Sequence, residues 1–236
     1  MSPFEWGLLI VGLGLQCLVL SALLQGAVRA YPFVFAYVVV NLLSSIVQFS
    51  FKHYFGARSR EFYQAYWVCD FLGTFLILMI IIHLVRIAMG RHRYGAMVYW
   101  GLLLGTVVVG LTGFLAIQAR GFSMGRWLTY VGRDYYFSAV ILNAILWFAL
   151  VRSSQDNKQI YLLTSGLGLQ LTGAAVAHAL RVSPQLRWYG NIFLIATYLA
   201  NLAVWYVALK RFPVAAPAGS AALEQSSGHE AESTSL

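Results

Sequence analysis

A chain of 236 residues that is 60% hydrophobic and only 10% charged falls outside the range of soluble domains, in which about a quarter of the residues carry charge. A chain of this length cannot bury so much apolar surface in water, so lipid has to be the solvent for much of it. The formal net charge of +8 does not point to nucleic acid, because the basic residues are scattered through short gaps between apolar runs and build no contiguous basic face.

Seven apolar runs reach the length of about 20 residues that crosses a bilayer. They lie near 6–27, 31–54, 64–88, 96–118, 127–151, 159–181 and 188–210. The fold class expected is all-α: a polytopic membrane protein, a seven-transmembrane-helix bundle over residues 1–211. The first run begins almost at Met1 with no basic residue ahead of it, and residues 24–30 make a poor cleavage site, so it reads as a retained helix. Gln25 and Gly26 end it, and Pro32 suits the first turn of the second helix. Ser59 is placed to cap the third. The remaining gaps are short, which makes sequential helices antiparallel neighbours. After Arg211 the composition turns to Ala, Ser, Gly and Glu, and residues 212–236 read as a disordered tail.

Tyr and Trp residues at the run ends, among them Trp6, Tyr31, Tyr99, Trp127, Trp188 and Trp205, favour headgroup depth and support these limits. The basic residues divide eight against seven between the two sides. Arg29, Arg86, Arg91, Arg93, Arg152, Lys158, Lys210 and Arg211 face Lys52, Arg58, Arg60, Arg120, Arg126, Arg181 and Arg187. The first helix weighs most and has Arg29 behind it, which sets the N-terminus outside and the C-terminus in the cytoplasm.

Charge inside a span is costly and points to the protein interior or to a wet cavity. The fifth run carries Arg133 beside Asp134. With alternating helix directions, Asp70 of the third run stands at a similar depth on the same side. His178 of the sixth, Asn191 of the seventh and Gln48 of the second join that side. The expectation is a polar cluster opening to the N-terminal side, with Arg133 paired to Asp70, since neighbours in sequence point about 100° apart on a helix. The same residues also read as an ion pair that only ties two helices together. The opposite half looks poorer in polar groups, with His83 and Gln170.

Small residues read as packing surfaces. Gly101 and Gly105 form a GxxxG in the fourth run, and Gly166, Gln170, Gly173 and Ala177 share one face of the sixth. Asn41, Ser44, Ser45, Asn143 and Asn201 are candidates for hydrogen bonds between helices. Cys17 and Cys69 sit at different depths and read as free thiols.

Catalytic readings fail on spacing. Ser165 and His178 are thirteen residues apart on one helix, about 20 Å along its axis, so they form no dyad. The five histidines lack ligand spacing, and no metal or other cofactor is expected. The seventh run has no lysine before Lys210, which excludes a Schiff-base chromophore. Prolines stay at the span ends, unlike the broken helices of transporters.

Residues Glu61, Phe62, Tyr63, Gln64, Ala65, Tyr66 and Trp67, with Asp70 three residues on, follow Phe35, Ala36, Tyr37 and Asn41. This stretch resembles small bacterial seven-helix membrane proteins of uncharacterised function. The resemblance implies an architecture, a bacterial plasma membrane and no activity. The function expected is a non-enzymatic sensor or membrane subunit, with a small-solute or ion transporter as the alternative. The partners expected are the lipid bilayer and a separate protein at the basic inner loops, and no nucleic acid.

Overall fold

The computed structural model describes residues 3–56, 59–89, 99–108, 111, 115, 124–152, 158–182 and 185–212, and leaves out the side chains at 3–5, 89, 124–134, 149, 152, 178, 179, 181, 182 and 187. The described residues are helical, with no strand among them. We label the helices α1 (Pro3–Ala22), α2 (Pro32–Phe55), α3 (Arg60–Met89), α4 (Tyr99–Val108), α5 (Met124–Arg152), α6 (Lys158–Val182) and α7 (Arg187–Arg211). The tail assigned to disorder lies, from residue 213 on, outside the described residues.

Five helices are long and apolar enough to cross a membrane: Trp6–Ala27, Pro32–Phe55, Arg60–Ala88, Lys158–Ala177 and Trp188–Arg211. As described, α4 and the Tyr135–Phe148 part of α5 are apolar but shorter. The outer surface is apolar too. Ile10, Leu24, Trp100, Leu104 and Phe137 are each exposed by more than 60%. A water-soluble monomer does not carry such a surface, and a bundle solvated by lipid does. The chain is a multi-pass membrane protein.

Local chemistry sets the helix limits. At the end of α1 the chain widens into a π turn over Leu23–Ala27, and Gly26 has φ 127°. No atom lies within 4 Å of a Cβ built there, so glycine is required by the backbone and not by crowding. Val28 N–H reaches back to Leu23 O at 3.0 Å. Pro32 stands in the first turn of α2, where its missing N–H costs nothing. Tyr31 precedes it, one residue outside the second span, which the sequence started at 31. Ser59 caps α3 by accepting from Phe62 N–H at 3.1 Å, satisfying a donor that the helix leaves free.

Neighbouring contacts run α1–α2, α2–α3, α3–α5, α5–α6 and α6–α7, and α7 closes the circuit on α1. The most extensive of these interfaces is α6 on α7. Tyr135 donates to Thr106 O at 3.0 Å and joins α5 to α4. The second half of α3 is buried on every face from Leu76 to Ile82, as expected of a helix that is apolar all round.

Candidate functional site

The side chains that meet in the middle of the bundle come from α2, α6 and α7. Gln170 and Asn201 are buried, and Asn201 Nδ2 donates to Gln170 Oε1 at 2.6 Å. Gln170 Nε2 in turn donates to Tyr37 OH at 2.7 Å. Trp205 closes the group: its ring meets Tyr37 edge-on at 5.7 Å, and its Nε1–H donates to Leu163 O at 3.0 Å. Tyr198 of α7 lies within electrostatic reach of Tyr37 and accepts from Gln16 of α1 at 2.6 Å. A chain of neutral polar groups thus joins four helices where hydrocarbon offers no other partner. Among the described residues, its Asn201 Oδ1 and Gln16 Oε1 are buried without partners, as are Thr164 Oγ1 and Asn143 Oδ1 outside it.

Glycines on α6 make this approach possible. A Cβ on Gly166 would come within 2.8 Å of Asn201 Oδ1 and 3.1 Å of Trp205 Cδ1. One on Gly173 would collide with the side chain of Thr197, and one on Gly168 would come within 2.8 Å of Asn143 Nδ2. The small-residue face of α6 is therefore packed on α7 within the chain. Helix α4 differs: among the described residues nothing lies within 4 Å of a Cβ built on Gly101 or Gly105, so no described neighbour uses that GxxxG.

A second group stands at the end of the bundle where α3 ends and α6 begins. Tyr31 is buried and donates its hydroxyl to Gln159 Oε1 at 3.0 Å. Burial pushes the Tyr31 hydroxyl up to about 12, because the phenolate would lose its hydration. His83 Nε2 is 2.8 Å from Ala30 O, which requires the proton on Nε2. Its ring meets Phe33 edge-on at 5.5 Å.

The residues of the expected polar cluster are placed as follows. Gln48 is half-buried on α2. Asp70 is exposed on α3, ten residues beyond Arg60 and so about 15 Å along the axis. Thr74 Oγ1 donates to the main-chain carbonyl of Asp70 at 2.9 Å, and the Asp70 carboxylate lies near Tyr136 of α5. Asn191 is exposed on α7. The backbone of Arg133 and Asp134 is in α5 and that of His178 in α6, but their side chains lie outside the described residues. Among the described residues no three His, Cys, Asp or Glu side chains gather as metal ligands. Cys17 and Cys69 are free thiols.

Two sequence expectations need correction. Asn41 and Ser45 do not reach across to another helix in their described bonds. Asn41 Nδ2 donates to Tyr37 O and Ser45 Oγ to Asn41 O, each four residues back on α2. Short polar side chains compete for their own helix carbonyls in this way. The half of the bundle read as poor in polar groups also holds the chain of Tyr37, Gln170, Asn201 and Trp205. From sequence, Trp205 reads as an interface marker, Tyr37 enters only through the resemblance, and Gln16 and Gln159 carry no expectation. The signal for them was an amide or phenol on the apolar side of a span, which needs a partner to be buried at all. Compared with protein-family models, curated proteins and solved structures, the chain matches none.

Proposed function

We propose that the chain is a seven-span membrane protein, N-terminus outside and C-terminus in the cytoplasm, that works without catalysis as a sensor or as the membrane subunit of an assembly. It reads a ligand or partner at the cluster of Gln48, Asp70, Arg133, Asp134, His178 and Asn191. Its basic loops at the other end hand the signal to a separate protein. The observation that supports this reading is the exposure of Asp70 within a span while the interior beside it is closed. Trp205, Leu163 and Leu167 fill the space between α6 and α7, and Tyr37, Gln170 and Asn201 tie α2 to both. A carboxylate within a span faces protein or a wet surface rather than lipid. It is better placed to meet a second molecule than to line a path through the middle.

The full chain is purified from its membrane with and without Asp70→Asn. A protein that co-purifies with the wild type at fixed stoichiometry and is lost from the variant supports the reading. Solute or ion flux in proteoliposomes of the chain alone, abolished by the same substitution, would replace it with a transporter.

A further inference from the structure

We propose that Arg29, Arg86 and Lys158 form a headgroup site for an anionic phospholipid. The three cations come from distant parts of the sequence, and two contacts bring them to one end of the bundle. His83 Nε2 against Ala30 O, at 2.8 Å, ties the last turns of α3 to the turn that carries Arg29. Arg86 follows His83 by one helical turn on the same face. Tyr31 OH on Gln159 Oε1, at 3.0 Å, ties that same turn to the start of α6, where Lys158 adjoins Gln159. All three cations are exposed.

The surroundings favour an anion. The Arg86 guanidinium carbon sits 5.0 Å from the centre of the Tyr99 ring, which orders it without neutralising it. Gln159 Nε2 is a buried donor with no acceptor among the described residues. No described residue at this end is acidic, and the sequence puts one acid, Asp156, in the loop before Lys158.

The surroundings also favour a lipid over a soluble anion. The cations stand at the ends of spans, beside Tyr99 and the Trp147–Tyr161 pair at 6.2 Å, and such rings occupy headgroup depth. Leu24 and Trp100, each 67% exposed, adjoin the Arg29 turn and Tyr99 and offer apolar surface to acyl chains. The site rests on the membrane reading and is independent of the Asp70 cluster, so either can fail alone.

The test uses the full chain in nanodiscs of phosphatidylcholine with and without phosphatidylglycerol, read by lipid retention in native mass spectrometry and by the thermal midpoint. The wild type is expected to retain phosphatidylglycerol in preference and to gain thermal stability from it, less so as salt rises. Arg29→Gln, Arg86→Gln and Lys158→Gln should each weaken retention roughly five-fold, as expected for one cation near an anionic surface. Lys52→Gln with Arg60→Gln, at the opposite end, should leave it unchanged. Equal retention of phosphatidylcholine, or equal loss in the opposite-end variant, would overturn the proposal. So would displacement of the lipid by an equal concentration of glycerol phosphate, which would assign the site to a soluble anion. If the substituted chains do not fold, the wild-type lipid preference and its salt dependence decide alone.

Discussion

Gln170 donates to Tyr37 and accepts from Asn201, at 2.7 Å and 2.6 Å, so one side chain on α6 satisfies a partner on α2 and another on α7. Its position in the middle makes the energetics unequal. Gln170→Met strands both Asn201 Nδ2 and Tyr37 OH in a buried site. Asn201→Leu strands only Gln170 Oε1 and removes an acceptor, Oδ1, that already lacks a partner. Leaving a buried polar atom unpaired costs about 1–3 kcal/mol. Gln170→Met should therefore lower stability more than Asn201→Leu in reversible unfolding in detergent. The double variant should show a coupling of about 0.6 kcal/mol, the mean for such bonds between membrane helices. Equal losses from the two single variants would mean that Gln170 is not the central member.

The glycines of α6 and α4 make a matched comparison. Gly173→Ala brings a methyl group into the Thr197 side chain, and Gly166→Ala brings one within 2.8 Å of Asn201 Oδ1. Overpacking a close interface costs about 1–3 kcal/mol, so both should lower the thermal midpoint, Gly173→Ala the more. Gly101→Ala and Gly105→Ala meet nothing within 4 Å and should stay within about 0.5 kcal/mol of wild type. A loss from the α4 substitutions as large as that from Gly173→Ala would place an unseen neighbour on that face.

The sequence made the local features legible because each depends on residues close in the chain. Ser59 caps α3, Pro32 opens α2, and Gly26 ends α1 through its own backbone angles. The small face of α6 was legible as well, since residues 166, 170, 173 and 177 fall together on any helix. What the sequence could not supply was which helix lies opposite. Tyr37 has no reason to be matched with Gln170, 133 residues away, until α2 is known to pack beside α6. Charged residues inside a span, such as Asp70 and Arg133, stand out in a sequence more than neutral amides do. The described polar chain is built from amides, a phenol and an indole, which hydrocarbon tolerates once they are paired.

The hydroxyl of Tyr31 links stability to pH. Its value in the folded chain is raised to about 12 from an ordinary 10.0. A group whose folded value is raised contributes stability that is complete below the unfolded value and is lost as pH rises toward the folded one. The contribution of this group should therefore be flat below pH 10 and fall between about 10 and 12, by up to about 1.4 kcal/mol per unit. Tyr31→Phe removes that contribution and, with it, the donor to Gln159. The variant should be less stable by about 1 kcal/mol at neutral pH and should lose less than the wild type on going above pH 10. Parallel curves for the two proteins would show that Tyr31 is not the titrating group.

Asp70 and Arg133 supply the remaining test. Asp70 lies near Tyr136, and Arg133 precedes Tyr136 by three residues on α5, the spacing at which two helix positions are neighbours. If Arg133 pairs with Asp70, then Asp70→Asn and Arg133→Gln each leave one charge without its partner inside a span. The double variant removes both charges and should be no worse than the more damaging single one. The expected coupling exceeds about 0.5 kcal/mol, the level that separates contacting residues from independent sites. Exposure of Asp70 keeps this below the several kcal/mol of a fully buried pair, because solvent and headgroups screen it. Additive losses would separate Arg133 from Asp70 and leave the carboxylate to its other neighbours on the α3 flank. On the proposed function, its contribution would then be larger in the chain purified in complex than in the chain purified alone, read as a difference in stability between the two.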